Sequence, residues 1–255
     1  MTEISKNTIK LLISLSTKKG RKSSGLFLVE GIKMCAELPS CNMQTDFIVI
    51  SNSADDRARS LAEKLSAEGA TLYIATDNQL RKISDTQTPQ GIIAAVKIND
   101  ESLVISDRML ILDGVSDPGN VGTIIRTADW FGFDSIILNS ECADIYNPKV
   151  VRSTMGSIFR THIHRTDDLP NLLKNELGDH EIFTAVLERS ESIVDCKPTD
   201  KFGLIMGNES QGISERITEL SNRRFRIPGI GEAESLNVAS AAAVSLYHFS
   251  GLSCK

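Results

Sequence analysis

The chain has 255 residues, 41% of them apolar, enough to build one large domain or two of ordinary size around packed cores. A formal net charge of −5 excludes a protein that coats nucleic acid through overall positive charge, and no stretch approaches the run of about 18 apolar residues that a membrane span requires. The five cysteines, Cys35, Cys41, Cys142, Cys196 and Cys254, are scattered without a C-x-x-C pair or nearby histidines, which argues against a disulfide frame or zinc site and for reduced thiols in the cytoplasm.

The first segment, Met1 to Pro39, carries seven lysines and arginines against three glutamates and is locally +4. That suits either a solvated helix face or contact with RNA. Its opening "MTEISKNTIKLLISLSTKKG" has a short apolar patch at helical spacing and no cleavage site of small residues, so no export or anchoring signal is expected. The runs "LFLVEG", "DFIVIS", "TLYIAT" and "GIIAAVK" predict strands, with "DDRARSLAEKLSAEG" among the helical stretches between them. The polar "INDESLVISDR" places a boundary near residues 98–106. Beyond it, "MLILDGV", "SIILN", "IFTAVL", "FGLIMGN" and "RFRIPG" are apolar without clean alternation, as strands covered on both faces are. The expected architecture is α/β throughout: a smaller α/β domain over residues 1–100, then a parallel-sheet domain over residues 107–255.

Ligands of such sheets bind outside the carboxyl ends of the strands. Three loops there combine glycines with polar groups. In "LDGVSDPGNVGTIIRTADWFG", Asn120 is placed to cap a helix that carries Gly122 and Arg126; the asparagine reads as a cap or a ligand group, and the arginine as a solvent-seeking side chain or a functional cation. In "LIMGNESQGIS", Gly207 and Gly212 allow close approach of a ligand, and Glu209 could orient a hydroxyl or amine. In "RFRIPGIGEAESLNVASAAAV", Ser235 reads as the cap of an alanine-rich helix, which leaves Asn237 inside the first turn, where asparagine is a poor helix former. Together the loops would line a cleft for something polar and planar. Their spacing matches neither G-x-G-x-x-G nor a phosphate-binding loop. The histidines, with "HIH" at 162–164 read as a strand edge, do not form metal-binding spacing, and no G-x-S-x-G elbow is present.

In this order the three loops resemble the motifs of the SpoU (TrmH-like) branch of the SPOUT RNA methyltransferases. N-x-G-x-x-x-R-x-A is met by Asn120, Gly122, Arg126 and Ala128, and G-N-E-x-x-G by Gly207, Asn208, Glu209 and Gly212. I-P…E-S-L-N-V-x-x-A is met by Ile227, Pro228, Glu234, Ser235, Leu236, Asn237, Val238 and Ala241. The intervening "NPKVVRSTMGSIFRTHI" is also similar to the family, as is, more loosely, the front part through "KKGRKSSGLFLVEGIKM" and "TPQGIIAAV".

The resemblance implies a deep trefoil knot at the C-terminal end of the sheet, S-adenosylmethionine bound in it, and a homodimer that methylates ribose 2′-hydroxyls. It places the donor's adenosine against Gly207, Ile227 and Leu236, and the reaction at Arg126 with Asn120, Glu209, Ser235 and Asn237. A guanidinium does not take up a proton, so Arg126 suits charge stabilisation or a phosphate clamp better than the role of base. Arg21, Lys22 and Glu30 sit where family members engage structured RNA. A full front domain without long basic terminal extensions favours ribosomal RNA, with transfer RNA as the alternative; a noncatalytic RNA-binding or ribosome-assembly protein is the competing reading. Neither a metal nor a membrane partner is expected.

Overall fold

The computed structural model describes residues 2–41, 43–99, 102–208 and 211–252. In chain order the front part runs β1 (Thr2–Glu3), α1 (Lys6–Ser14), α2 (Lys18–Ser24), β2 (Leu26–Glu30), α3 (Ile32–Cys35), β3 (Thr45–Ser51), α4 (Asp56–Ala67), β4 (Thr71–Ala75), α5 (Asp77–Ile83) and β5 (Ile92–Lys97). Helix starts are set by short polar caps: Ser5 accepts from the Thr8 amide, Asp55 from the Ala58 amide, and Thr76 forms a reciprocal capping box with Gln79.

The strands form one sheet in the order β1-β4-β3-β5-β2, parallel through β1, β4 and β3, with β5 antiparallel to both β3 and β2. Leu12 and Leu15 from the α1 region and Leu80 and Ile83 from α5 pack with Leu26, Leu28, Val49, Ile93 and Ala95 of the strands into one core.

The rest of the chain continues through β6 (Arg108–Asp113), α6 (Pro118–Trp130), β7 (Ser135–Asn139), α7 (Pro148–Thr154), β8 (His162–Thr166), α8 (Leu169–Asn175), β9 (Glu181–Ala185) and β10 (Glu191–Ser192). It ends with β11 (Phe202–Gly207), α9 (Glu215–Thr218), β12 (Arg223–Arg226) and α10 (Val238–Phe249). Seven strands make a second sheet, ordered β10-β12-β9-β11-β6-β7-β8 and parallel at each pairing. The "HIH" stretch belongs to β8, the strand at one edge of that order.

Period-two alternation gives the second sheet two apolar faces. Met109, Ile111, Ile137, Ile182 and Ile205 meet Leu169, Leu172 and Leu173 of α8 and Ile217 of α9. On the other face Phe249 at the end of α10 packs against Phe183, Phe202 and Phe225, with ring centroids 4.8, 5.6 and 5.3 Å apart. Those contacts tie α10 to β9, β11 and β12 and so fix where its opposite, amino-terminal end lies. Near the start of α10 the buried positions are Val238, Ala239 and Ala242, and α10 packs on α6.

The chain divides into two compact units, Met1–Asp100 with Asp144–Phe159, and Glu101–Ala143 with Arg160–Lys255. This differs from the contiguous second domain expected from the sequence. The reason is local packing: Val150 and Val151 are buried, α7 packs on β2, and the Tyr146 and Phe27 rings lie 4.8 Å apart. Two ion-pair groups add to this. Arg21, 3% exposed, donates from Nη2 to Asp144 at 2.6 Å and from Nη1 to the carbonyls of Leu15 and Ser16 at 2.8 and 3.1 Å. Arg152 donates to Asp85 at 2.8 Å and lies 4.0 Å from Glu30. Among the described residues no helix is long and apolar enough to cross a membrane.

Candidate active site at the carboxyl edge of the parallel sheet

The loops after β6, β11 and β12 leave the same edge of the parallel sheet. At the first, Asp117 rather than Asn120 caps α6: its carboxylate accepts from the Asn120 amide at 2.9 Å, and Pro118 occupies the first turn, where its missing N–H costs nothing. The sequence expectation of Asn120 as the cap is therefore corrected. Its carboxamide instead accepts at 3.2 Å from Nδ2 of Asn237.

The third loop carries a parallel correction. Ser235 does not cap α10. Asn237 does, its Oδ1 accepting from the amides of Ala239 and Ser240 at 2.9 and 3.4 Å, while Ser235 is exposed two residues earlier. Asn237 thus sits before the helix, where asparagine is favoured, not inside it. One face of its carboxamide caps α10 and the other reaches Asn120, joining the first and third loops.

Asn237→Ala is expected to cost about 1 kcal/mol of stability through the lost cap. Asn237→Asp keeps an acceptor for the helix amides but places a carboxylate oxygen beside the Asn120 carbonyl. It should unfold within ~0.5 kcal/mol of the parent in urea, while the turnover proposed below falls roughly 10- to 100-fold, the value of one oriented hydrogen bond.

The second loop folds back on itself. Asn208 and Gly212 exchange backbone hydrogen bonds at 2.9 and 3.0 Å, and Gly212 takes a φ of +69°, which favours glycine. A Cβ on Gly207 would stand 2.4 Å from Cγ1 of Ile213 and 2.7 Å from the Gly212 carbonyl, so the return of the loop requires glycine at 207. Gly207→Ala is expected to push the loop outward and, if the loop holds S-adenosylmethionine as proposed below, to weaken its binding at least ~10-fold in titration calorimetry, the overpacking cost of about 1–3 kcal/mol appearing at the ligand. Glu209, read from the sequence as a site residue, lies outside the described residues.

A polar lattice that the sequence reading missed supports this edge. Buried Asp113, the last residue of β6, accepts from Asn139 Nδ2 at 2.7 Å and from the Ser214 amide at 3.1 Å. Asn139, the last residue of β7, accepts from the Gly114 amide at 2.9 Å. Asn208 donates to the Gly114 carbonyl at 2.7 Å and accepts from the Gln211 amide at 3.0 Å. The available signal was a polar residue closing an apolar run at the carboxyl end of each strand.

Arg126 is exposed on α6 and is in no ion pair among the described residues. Gly122, four residues back toward the helix start, has no side chain to obstruct an arginine leaning that way. Ile227 is half-buried, Leu236 is 52% exposed, and the backbone from Pro228 to Leu236 makes no hydrogen bond among the described residues. Open amides and carbonyls flanked by apolar side chains are what the edge and face of an adenine ring need, so these residues fit an adenosine-bearing cofactor.

Burial pushes the Cys142 and Cys196 thiols up to about 11 and the Cys35 thiol up to about 12, where they are poor nucleophiles at neutral pH. No group of three His, Cys, Asp or Glu among the described residues is placed to hold a metal ion.

Residues 107–247 match the model of the SpoU rRNA methylase family, and residues 6–94 match an MRM3-like substrate-binding domain. The chain belongs to the SpoU rRNA methylase family. Among SpoU relatives, it is 33% identical over 238 residues to the 23S rRNA (guanosine(2553)-2′-O)-methyltransferase RlmP of Bacillus subtilis (strain 168), covering 93% of each chain. A TrmH-family structure from Porphyromonas gingivalis superposes with a TM-score of 0.86 at 30% identity, covering 97% of this chain and 98% of that one. An AdoMet-bound rRNA methyltransferase from Sinorhizobium meliloti also reaches 0.86, at 26% identity, covering 97% of this chain and 95% of that one.

The remaining sequence candidates of this SpoU chain lie in the front unit. Of Arg21, Lys22 and Glu30, only Lys22 is exposed. Arg21 is spent on Asp144 and two carbonyls, and Glu30 accepts from the Asp85 amide at 2.9 Å and from the Ser84 hydroxyl at 2.5 Å. The three do not form one exposed surface.

Proposed function

We propose that the protein transfers a methyl group from S-adenosylmethionine to a ribose 2′-hydroxyl in RNA, with ribosomal RNA favoured over transfer RNA. The observation that carries this reading is the Asn237 to Asn120 hydrogen bond, which draws the third motif loop against the first beside the glycine loop after β11. When bound, S-adenosylmethionine supplies an electrophilic methyl on a sulfonium. Gly207, Ile227 and Leu236 would hold its adenosine, through open backbone and apolar contact. The Asn120–Asn237 pair, with Ser235 and Glu209, would position the ribose so that its 2′-oxygen is in line with the methyl. Arg126 would stabilise negative charge developing on that oxygen, or clamp the adjoining phosphate, while the hydroxyl proton leaves to a group other than the guanidinium.

Incubation with tritiated S-adenosylmethionine and ribosomal RNA should label ribose, and ribose-methylation mapping in cells with and without the protein should locate one nucleotide. Donor-binding protein that labels neither ribosomal nor transfer RNA would overturn the reading in favour of a noncatalytic RNA binder.

The same reading includes the trefoil knot. It is supported by the return of the chain from β12 to place α10 on α6, the helix that follows β6, a strand three places away from β12 in the sheet. It includes a homodimer, supported by apolar exposure on the packed helices α6 and α10, where Trp130 is 81% and Val244 43% exposed. A cytoplasmic site of action fits the unpaired thiols of Cys35, Cys41, Cys142 and Cys196.

A further inference from the structure

In the first unit, charge is sorted by face. Helix α1 packs beside α2 and α5, and the α1 region and α5 bury Leu12, Leu15, Leu80 and Ile83 against the sheet. Apart from Asp77, the charge this helical layer leaves exposed is cationic: Lys6 and Lys10 on α1, Lys18, Lys19 and Lys22 on α2, and Arg81 and Lys82 on α5. Neither α1 nor α2 contains an acidic residue. Helix α5 has one, Asp77, which accepts from the hydroxyls of Ser51 and Ser53; these bonds, and the nearby Arg81 charge after them, hold its carboxyl below the usual carboxylate range. None of the seven cations is in an ion pair among the described residues. Helix α4 is mixed instead: with its caps it carries Asp55, Asp56, Glu63 and Glu68 against Arg57, Arg59 and Lys64.

An ordinary solvated helix alternates signs. Lys6 with Lys10, and Lys18 with Lys22, instead place like charges at i and i+4, an arrangement that opposes helix formation and that nothing inside this fold compensates. Four residues of helix advance about 6 Å along the axis, so such a row meets repeated charges on an extended polyanion. A chain of net charge −5 that gathers seven cations on one layer concentrates its attraction for phosphates there.

We propose that the α1–α2–α5 layer is the docking surface for the phosphate backbone of the substrate RNA. This rests on the methyltransferase reading above and moves RNA contact away from Arg21 and Glu30, which are buried. A surface of lysines carries no base-reading pattern, so it docks structured RNA by its backbone and leaves the choice of nucleotide to other parts of the molecule.

The test uses the full chain. Lys6→Gln/Lys10→Gln and Arg81→Gln/Lys82→Gln should each raise the Kd and KM for ribosomal RNA at least ~10-fold near physiological salt, with kcat and the S-adenosylmethionine Kd unchanged. The slope of log Kd against log salt should flatten by about 1 for each cation removed. Arg57→Gln/Lys64→Gln on α4 should leave RNA binding as in the parent. The proposal is overturned if the layer variants bind RNA with parental affinity and slope, if the α4 variant weakens RNA binding as much as they do, or if they lose only binding to phosphatidylserine vesicles. A parent protein that binds S-adenosylmethionine but neither binds nor methylates RNA would instead sink the methyltransferase reading itself.

Discussion

Arg126→Ala should reduce methyl transfer to RNA by about 10²–10³-fold, the loss typical when one preorganised donor to developing negative charge is removed. Its stability should change by less than ~0.5 kcal/mol, because the side chain is exposed and in no ion pair among the described residues. Donor affinity should also hold, since Gly207, Ile227 and Leu236, the positions proposed to face the adenosine, are on other loops. Single-turnover assays with saturating RNA and S-adenosylmethionine separate the chemical step from binding. Arg126→Lys distinguishes the two roles proposed for the guanidinium: a point charge can still attract a phosphate but does not reproduce the planar fork of donors. A variant that methylates at the parent rate would remove Arg126 from the chemistry.

Arg21→Met should produce the largest stability change of any single substitution considered, about 3–5 kcal/mol, because it strands a carboxylate and two carbonyls that now share one buried guanidinium. Asp144 is not a passive partner, since its other oxygen accepts from the Tyr146 amide at 3.0 Å and so orders the entry to α7. Asp144→Asn should therefore also destabilise, and the double variant should lose much less than the two losses added, as coupled neighbours do. Urea unfolding followed by far-ultraviolet circular dichroism reads all three. An Arg21→Met chain with the parental midpoint would mean the contact contributes nothing. The RNA-binding role expected for Arg21 from sequence has a second consequence. If Arg21 met phosphate directly, Arg21→Lys would keep affinity and stability together; as a buried fork it should lose stability first.

The architecture was legible because its strands are apolar runs bounded by turns, a pattern that survives without neighbours. The site was legible at the level of loops, through glycines and amides after the strands, and only in part at the level of roles. Asn120 and Ser235 both read as caps because capping is scored locally, and Asp117 and Asn237 were each equally suited by type. Which residue caps depends on where the chain bends, and that is set by Pro118 and by the packing of α10 against the sheet. Asp113 and Asn139 were missed for a different reason: the polar residue that closes each apolar run is visible, but their partners are each other and the amides of Ser214 and Gly114, which for each side chain lie distant in sequence. Arg21 looked like a surface cation because charge counts carry no depth.

The excursion of residues 144–159 into the first unit bears on how the protein can be taken apart. Proteolysis near residues 98–106 would cut only one of three chain crossings, since the backbone also passes between the units at 143/144 and at 159/160. A nicked molecule should therefore stay associated until it is denatured. A fragment starting at residue 107 would keep all three motif loops yet bare Tyr146, Val150 and Val151 and leave Asp144 without its guanidinium. Such a fragment would be prone to aggregate, so loss of activity on truncation would say nothing of which unit binds RNA.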